Sequence, residues 1–199
     1  MSEPNEENLG IDWLEKLIEQ FKREPIFEGP QWNLILAELG RITVYFDILD
    51  FILKGLLVTL ERPHDLTMDT NPYAQTRISD IIKKCRKALD NLEPALVAKH
   101  SKLIKDCGEQ LAQCDKLRDR RNELIHALWS PSAFPPHSAT RFRTTKAKTG
   151  ENFEMISQGH DFQSLCAISL QIRNARYSLH ALTMKFRVAF QTQRAKSSR

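Results

Sequence analysis

Residues 120–129 read Arg120-Arg121-Asn122-Glu123-Leu124-Ile125-His126-Ala127-Leu128-Trp129. They combine cations, a carboxamide and an imidazole within a few turns of chain. The apolar residues before them, Leu103, Ile104, Cys107, Leu111, Cys114 and Leu117, continue into Leu124, Ile125 and Leu128 at helical spacing. Residues 95–129 therefore read as one long helix, or a pair separated near His100-Ser101, ended by Ser130-Pro131. An ideal helix turns about 100° per residue, so Asn122 and His126 share a face and Asn122 can fix the imidazole tautomer. Arg121 lies about 140° from His126 by the same rotation. One helix does not bring the two together, whereas a second copy of the helix could. The charged run Asp115–Glu123 reads as a solvated face carrying salt bridges through Asp119, Arg120 and Glu123.

Working outward, a polar start at residues 1–8 precedes Trp13, Leu17, Ile18 and Phe21, which mark an amphipathic helix over Leu9 to Arg23. Pro25, Gly29 and Pro30 break it. A long helix follows from about Gln31 to Glu61, with Trp32, Ile35, Leu36, Leu39, Ile42, Phe46, Leu49, Leu53, Leu56 and Leu60 as its apolar positions. Between Ile48 and Leu60 only Asp50 and Lys54 are charged, so this part is a central core helix, or also faces a second protomer. Arg62 to Pro72 is a loop containing His64. A further helix spans Tyr73 to Asn91, with Ile78, Ile81, Ile82, Cys85 and Leu89 inward, and Pro94 marks a junction.

Beyond the motif, Ser132 to His137 is a Pro-rich linker. From Ala139 to Ile156, alternation on both sides of a Gly150-containing turn predicts a β-hairpin. Its Arg141, Arg143, Lys146 and Lys148 could track an RNA backbone, or could simply blunt an exposed edge. The last helix runs from Asp161, an N-cap or first-turn acid, to Gln193, with Phe162, Leu165, Ile168, Ile172, Ala175, Leu179, Leu182, Phe186 and Phe190 buried. The fold class is all-α: an up-down bundle of about five helices with a small β-hairpin insertion before the last one. The 199 residues read as a single domain, with 1–8 and 195–199 as tails.

Composition narrows the function. The net charge of +4 is mild but uneven, with acid concentrated in the first 24 residues. Arg173, Arg176, Lys185, Arg187, Arg194, Lys196 and Arg199 make the end basic, which permits phosphate contact. Cys85, Cys107, Cys114 and Cys166 form no C-x-x-C pair and read as reduced thiols of a cytoplasmic protein. The N-terminus lacks a signal-peptide pattern, and no stretch is apolar enough to span a bilayer. There is no Gly-rich phosphate loop, metal-ligand cluster or nucleophile elbow. No membrane, metal or cofactor is expected.

Arg121-Asn122-x-x-x-His126 resembles the R-x4-6-H motif of the HEPN domain family, in the form where Asn follows Arg. Arg120 allows a second alignment with one more intervening residue, but then Asn122 loses its place. The resemblance implies an all-helical homodimer acting as a metal-independent endoribonuclease, most simply a bacterial toxin or antiviral defence effector. It implies catalytic roles for Arg121, His126 and Asn122; Arg120 is a further candidate for contact with the RNA backbone. Position 128 is leucine, where family toxins paired with a nucleotidyltransferase often carry a modified tyrosine. That form of control gains no support, and a different antitoxin or defence-system partner stays open. The alternatives are a catalytically silent HEPN-like module binding RNA, nucleotide or a protein, and an unrelated helical protein associating through Ile48–Leu60. Charges at Phe51 or Leu57 would disrupt the latter.

Overall fold

The computed structural model describes residues 30–63, 69–132, 138–146 and 153–197. The chain is mostly helical. Four α-helices are present among these residues: α1 (Pro30–Glu61), α2 (Ile78–Asp90), α3 (Pro94–Ile125) and α4 (Phe162–Ser197). The expected helix over Leu9 to Arg23, the loop residue His64, the linker at 133–137 and the turn carrying Lys148 lie outside the described residues. The chain divides into two compact units. Of the described residues, one holds those between 38 and 127 and between 163 and 197, and the other holds those between 30 and 37 and between 128 and 162.

The first unit is helical. In α1, Ile42, Phe46, Leu49, Leu53, Leu56 and Leu60 recur at steps of three and four and are buried. Leu57 and Val58 are fully buried as well, and the Thr59 hydroxyl donates to the Gly55 carbonyl at 2.9 Å. The end of α1 is thus enclosed all round, as the run of apolar residues predicted. Leu57 belongs to the core, so a charge there tests folding rather than association. Phe51 is 61% exposed, with Val44 and Ile48 on the same exposed stripe.

Helix α2 starts at Ile78, five residues later than the periodicity suggested. Asn71–Tyr73 forms a separate 3-10 turn instead. Asp69 accepts the Asn71 N–H at 2.9 Å, and the buried Tyr73 donates its hydroxyl to the Glu61 carboxylate. That anchor holds the turn apart from the helix, and Arg77 enters α2 in an extended conformation. Ile81, Ile82, Cys85 and Leu89 then form the buried face.

Helix α3 begins with Pro94 in its first turn. His100 has non-helical φ/ψ of −122° and 28°, a kink where the sequence allowed a separation. Cys107, Leu111, Cys114, Leu117 and Leu124 are its buried positions beyond the kink. In α4 the buried stripe runs from Leu165 through Ile172, Ala175, Leu179 and Leu182 to Phe190, and Phe186 and Phe190 stack at 6.0 Å.

The second unit contains a three-stranded antiparallel sheet in the order β1-β2-β3: β1 (Leu128–Ser132), β2 (Ser138–Lys146) and β3 (Phe153–Asp161). The alternating segment forms β2 and β3, paired from Ser138↔Asp161 to Lys146↔Phe153. The third strand corrects the sequence reading, because Leu128 and Trp129 are strand, not helix. Pro131 disfavours helix at the residue before it, and Leu128 and Trp129 find partners in Phe142 and Arg141. Those partners are distant in sequence, so the local pattern did not reveal them. Pro131 itself lies in an edge strand, where a missing N–H is tolerated. Asp161 closes β3 immediately before α4.

Candidate functional site

The motif occupies the last turn of α3. Leu124 is buried and anchors that turn, while Arg120, Asn122 and His126 are exposed and Arg121 is half-buried. His126 is the C-cap residue, with φ −93° and ψ 13°, and its backbone N–H donates to the Asn122 carbonyl at 3.2 Å. Asn122 and His126 are thus joined one helical turn apart through the backbone. Among the described residues the imidazole forms no hydrogen bond and faces solvent.

Arg121 points elsewhere. Its guanidinium lies over the Phe46 ring of α1, with Cζ 5.5 Å from the centroid. Its Nη1 donates to Asn122 Oδ1 at 3.2 Å. Asn122 therefore holds the arginine, where the sequence offered it as a group orienting the histidine or the substrate. Arg121 Nε is buried without a hydrogen-bond partner among the described residues. Among the described residues no carboxylate pairs with Arg121. Its neighbours differ: Arg118 reaches Asp115 at 2.5 Å and Asp119 at 2.6 Å, and Arg86 reaches Asp115 at 3.3 Å. Arg120 Nη1 donates to Gln171 Oε1 of α4 at 3.1 Å. Asp119 thus pairs with the adjacent Arg118 rather than along the helix.

The candidate RNA-contacting residues of the sheet fall on β2. Arg141 pairs in register with Trp129 on one side and Gln158 on the other, so it stands on a central strand. Arg143 opposes Ile156 and Lys146 opposes Phe153, beyond the end of β1. Edge-blunting therefore does not account for Arg141, and remains available to Arg143 and Lys146.

Sequence reading missed two features of the helical unit. A cleft of about 750 Å³ lies between the start of α2 and the last turns of α3, with Asn122 in its wall. The signal was the recurrence of Asp115, Arg118 and Asn122 along one face, masked by reading the whole charged run as solvated. The second is the fully buried Glu38, whose Oε2 accepts from Arg41 Nη1 at 2.6 Å. Burial and the nearby Glu38 carboxylate push the Cys166 thiol up. Among the described residues no group of three His, Cys, Asp or Glu side chains converges as metal ligands, and no helix is long and apolar enough to cross a membrane.

Compared with protein-family models, with curated proteins and with solved structures, the chain matches none.

Proposed function

We propose that the chain is a HEPN-type endoribonuclease that cleaves RNA without a metal, through a composite site built by two copies of Arg121-Asn122-x-x-x-His126 across a homodimer. The observation that carries this reading is Arg121. A half-buried arginine with an orphaned Nε and no carboxylate partner among the described residues is a cation held ready for an outside anion. Stacking on Phe46 and the bond to Asn122 restrict its motion before any ligand arrives. A phosphodiester suits it, because guanidinium can present two parallel N–H donors to two phosphate oxygens.

In the reaction the ribose 2′-oxygen attacks the adjacent phosphorus. One histidine takes the 2′-hydroxyl proton, the P–O5′ bond breaks, and a second histidine protonates the departing 5′-oxygen. The products are a 2′,3′-cyclic phosphate and a 5′-hydroxyl. Arg121 from each copy stabilises the crowded phosphorane. One chain supplies a single His126, with its ring in solvent, so a second copy supplies the separate acid and base. Such an activity, unrestrained, would degrade cellular RNA, which suits a toxin or antiviral defence effector held in check by a partner protein.

A silent HEPN-like module that binds RNA, nucleotide or a protein is the second reading. It draws support from the engagement of Asn122 with Arg121 instead of with the His126 ring. Incubation with RNA in EDTA, followed by analysis of the new ends, tests the choice. Cyclic phosphate and 5′-hydroxyl ends are the expected result; RNA bound but left intact would overturn the enzymatic reading.

A further inference from the structure

Asp115, Arg118 and Asn122 recur at steps of three and four along α3 and form one wall of the cleft of about 750 Å³. The opposite wall is the beginning of α2, from Arg77 to Arg86. The volume falls within the roughly 300–1,000 Å³ usual for small-ligand sites. Four cations line it, Arg77, Lys83, Arg86 and Arg118, against the two carboxylates of Asp115 and Asp119. Both carboxylates serve Arg118, whose guanidinium they fix between them. Arg86 shares Asp115 at the longer distance of 3.3 Å and keeps 42% of its side chain exposed. Lys83 is 75% exposed and only 3.8 Å from its nearest carboxylate, Asp80. Arg77 is exposed and has no ion pair among the described residues. At the α2 wall, therefore, Arg77 is unpaired among the described residues, and Lys83 and Arg86 are held only by long ion pairs. The cleft is also continuous with the motif, because Asn122 belongs to its α3 wall and accepts the hydrogen bond from Arg121.

We propose that this cleft seats the sugar–phosphate backbone of a single RNA strand next to the scissile position, with Arg77, Lys83 and Arg86 meeting its phosphates and Arg118 held as a fixed cation behind them. The choice of RNA as the occupant rests on the ribonuclease reading. A concave site of this size, sharing a side chain with the Arg121 cluster, fits a narrow strand better than a broad acidic protein face. Guanidinium groups also tolerate any base sequence, so the cleft contributes affinity rather than base choice.

The test uses full-length protein carrying His126→Ala, which blocks turnover, and fluorescence anisotropy with a labelled single-stranded RNA. Arg77→Glu with Arg86→Glu is expected to weaken binding by about tenfold or more. The slope of log affinity against log salt should flatten by roughly 0.7 for each phosphate that is no longer neutralised. Lys102→Glu with Lys105→Glu, elsewhere on α3 and equal in net-charge change, is expected to leave affinity unchanged. Unchanged affinity and salt slope in the Arg77/Arg86 variant would overturn the cleft. Wild-type cleavage, with an unchanged KM when Arg77→Glu and Arg86→Glu are made in the chain that keeps His126, would overturn the cleft while sparing the ribonuclease reading. Loss of RNA binding in the variant, with no cleavage by wild type, would support the cleft and overturn catalysis. An acidic polypeptide that binds where RNA does not, and is released by the same substitutions, would overturn both.

Discussion

The Arg121 guanidinium lies 5.5 Å above the ring of Phe46, so the motif's cation is oriented by a residue from another helix. Phe46 is at the same time part of the core, only 5% exposed. The ring thus has two duties, packing beneath α3 and presenting its electron-rich face to a charge that has no carboxylate partner among the described residues.

Those two duties separate in one substitution. Phe46→Leu keeps an apolar side chain in the core but removes the aromatic face, at a stability cost on the order of 1 kcal/mol. Cleavage is expected to fall by about ten- to hundredfold as Arg121 loses its orientation. Thermal unfolding measured beside RNA turnover checks the pair; a Tm loss with full turnover would show that Phe46 only packs.

The thiols are expected to be inert in the folded chain. Cys85, Cys107 and Cys114 are fully buried, and burial pushes Cys107 and Cys114 up to about 12 and Cys85 higher still. At pH 8 a thiol with that value is thiolate at a fraction on the order of 10⁻⁴. A chromogenic disulfide reagent should therefore modify at most the half-buried Cys166 until denaturant is added. Rapid reaction of several thiols in the native protein would contradict the packing of α2 against α3.

Tyr73 should carry a pH dependence at the alkaline end. Burial first, and then its hydrogen bond to Glu61, raise its phenol from 10.0 to about 12. The fold favours the protonated form, so this stabilisation is complete below about pH 10 and is lost as the pH rises toward 12. Tyr73→Phe should cost about 1 kcal/mol at neutral pH and remove that alkaline dependence. Denaturant titrations at pH 8 and above 10 measure both, and identical pH profiles for the two proteins would refute the bond's role.

Much of this architecture was legible in the residues, and the failures have physical causes. Helices α1, α3 and α4 declare themselves because Leu49, Leu53 and Leu56, or Cys107, Leu111 and Cys114, repeat at the helical period and are buried. The kink at His100 and the pairing of β2 with β3 were also within reach. The end of α3 at Ile125 was not, because strand β1 depends on partners in β2. The motif itself is written in consecutive residues. Its support by Phe46 is not, since that contact depends on how α1 is rotated against α3.

Exposure separates two substitutions on α1. Leu53→Ala is expected to cost about 2–5 kcal/mol, because it empties a fully buried site. Phe51→Lys should change stability by less than about 0.5 kcal/mol, since Phe51 is 61% exposed. Urea denaturation ranks them. Sedimentation of Phe51→Lys then asks whether the stripe of Val44, Ile48 and Phe51 covers a second copy: a monomer of unchanged stability identifies an association face, and an intact dimer excludes it.

The most direct measurement is RNA cleavage in EDTA by the wild-type protein beside His126→Ala and Arg121→Ala, each matched for fold and oligomeric state. The composite site predicts cleavage by wild type alone, with loss of at least about a hundredfold in either variant. Equal cleavage by all three proteins, or none by any, would contradict it.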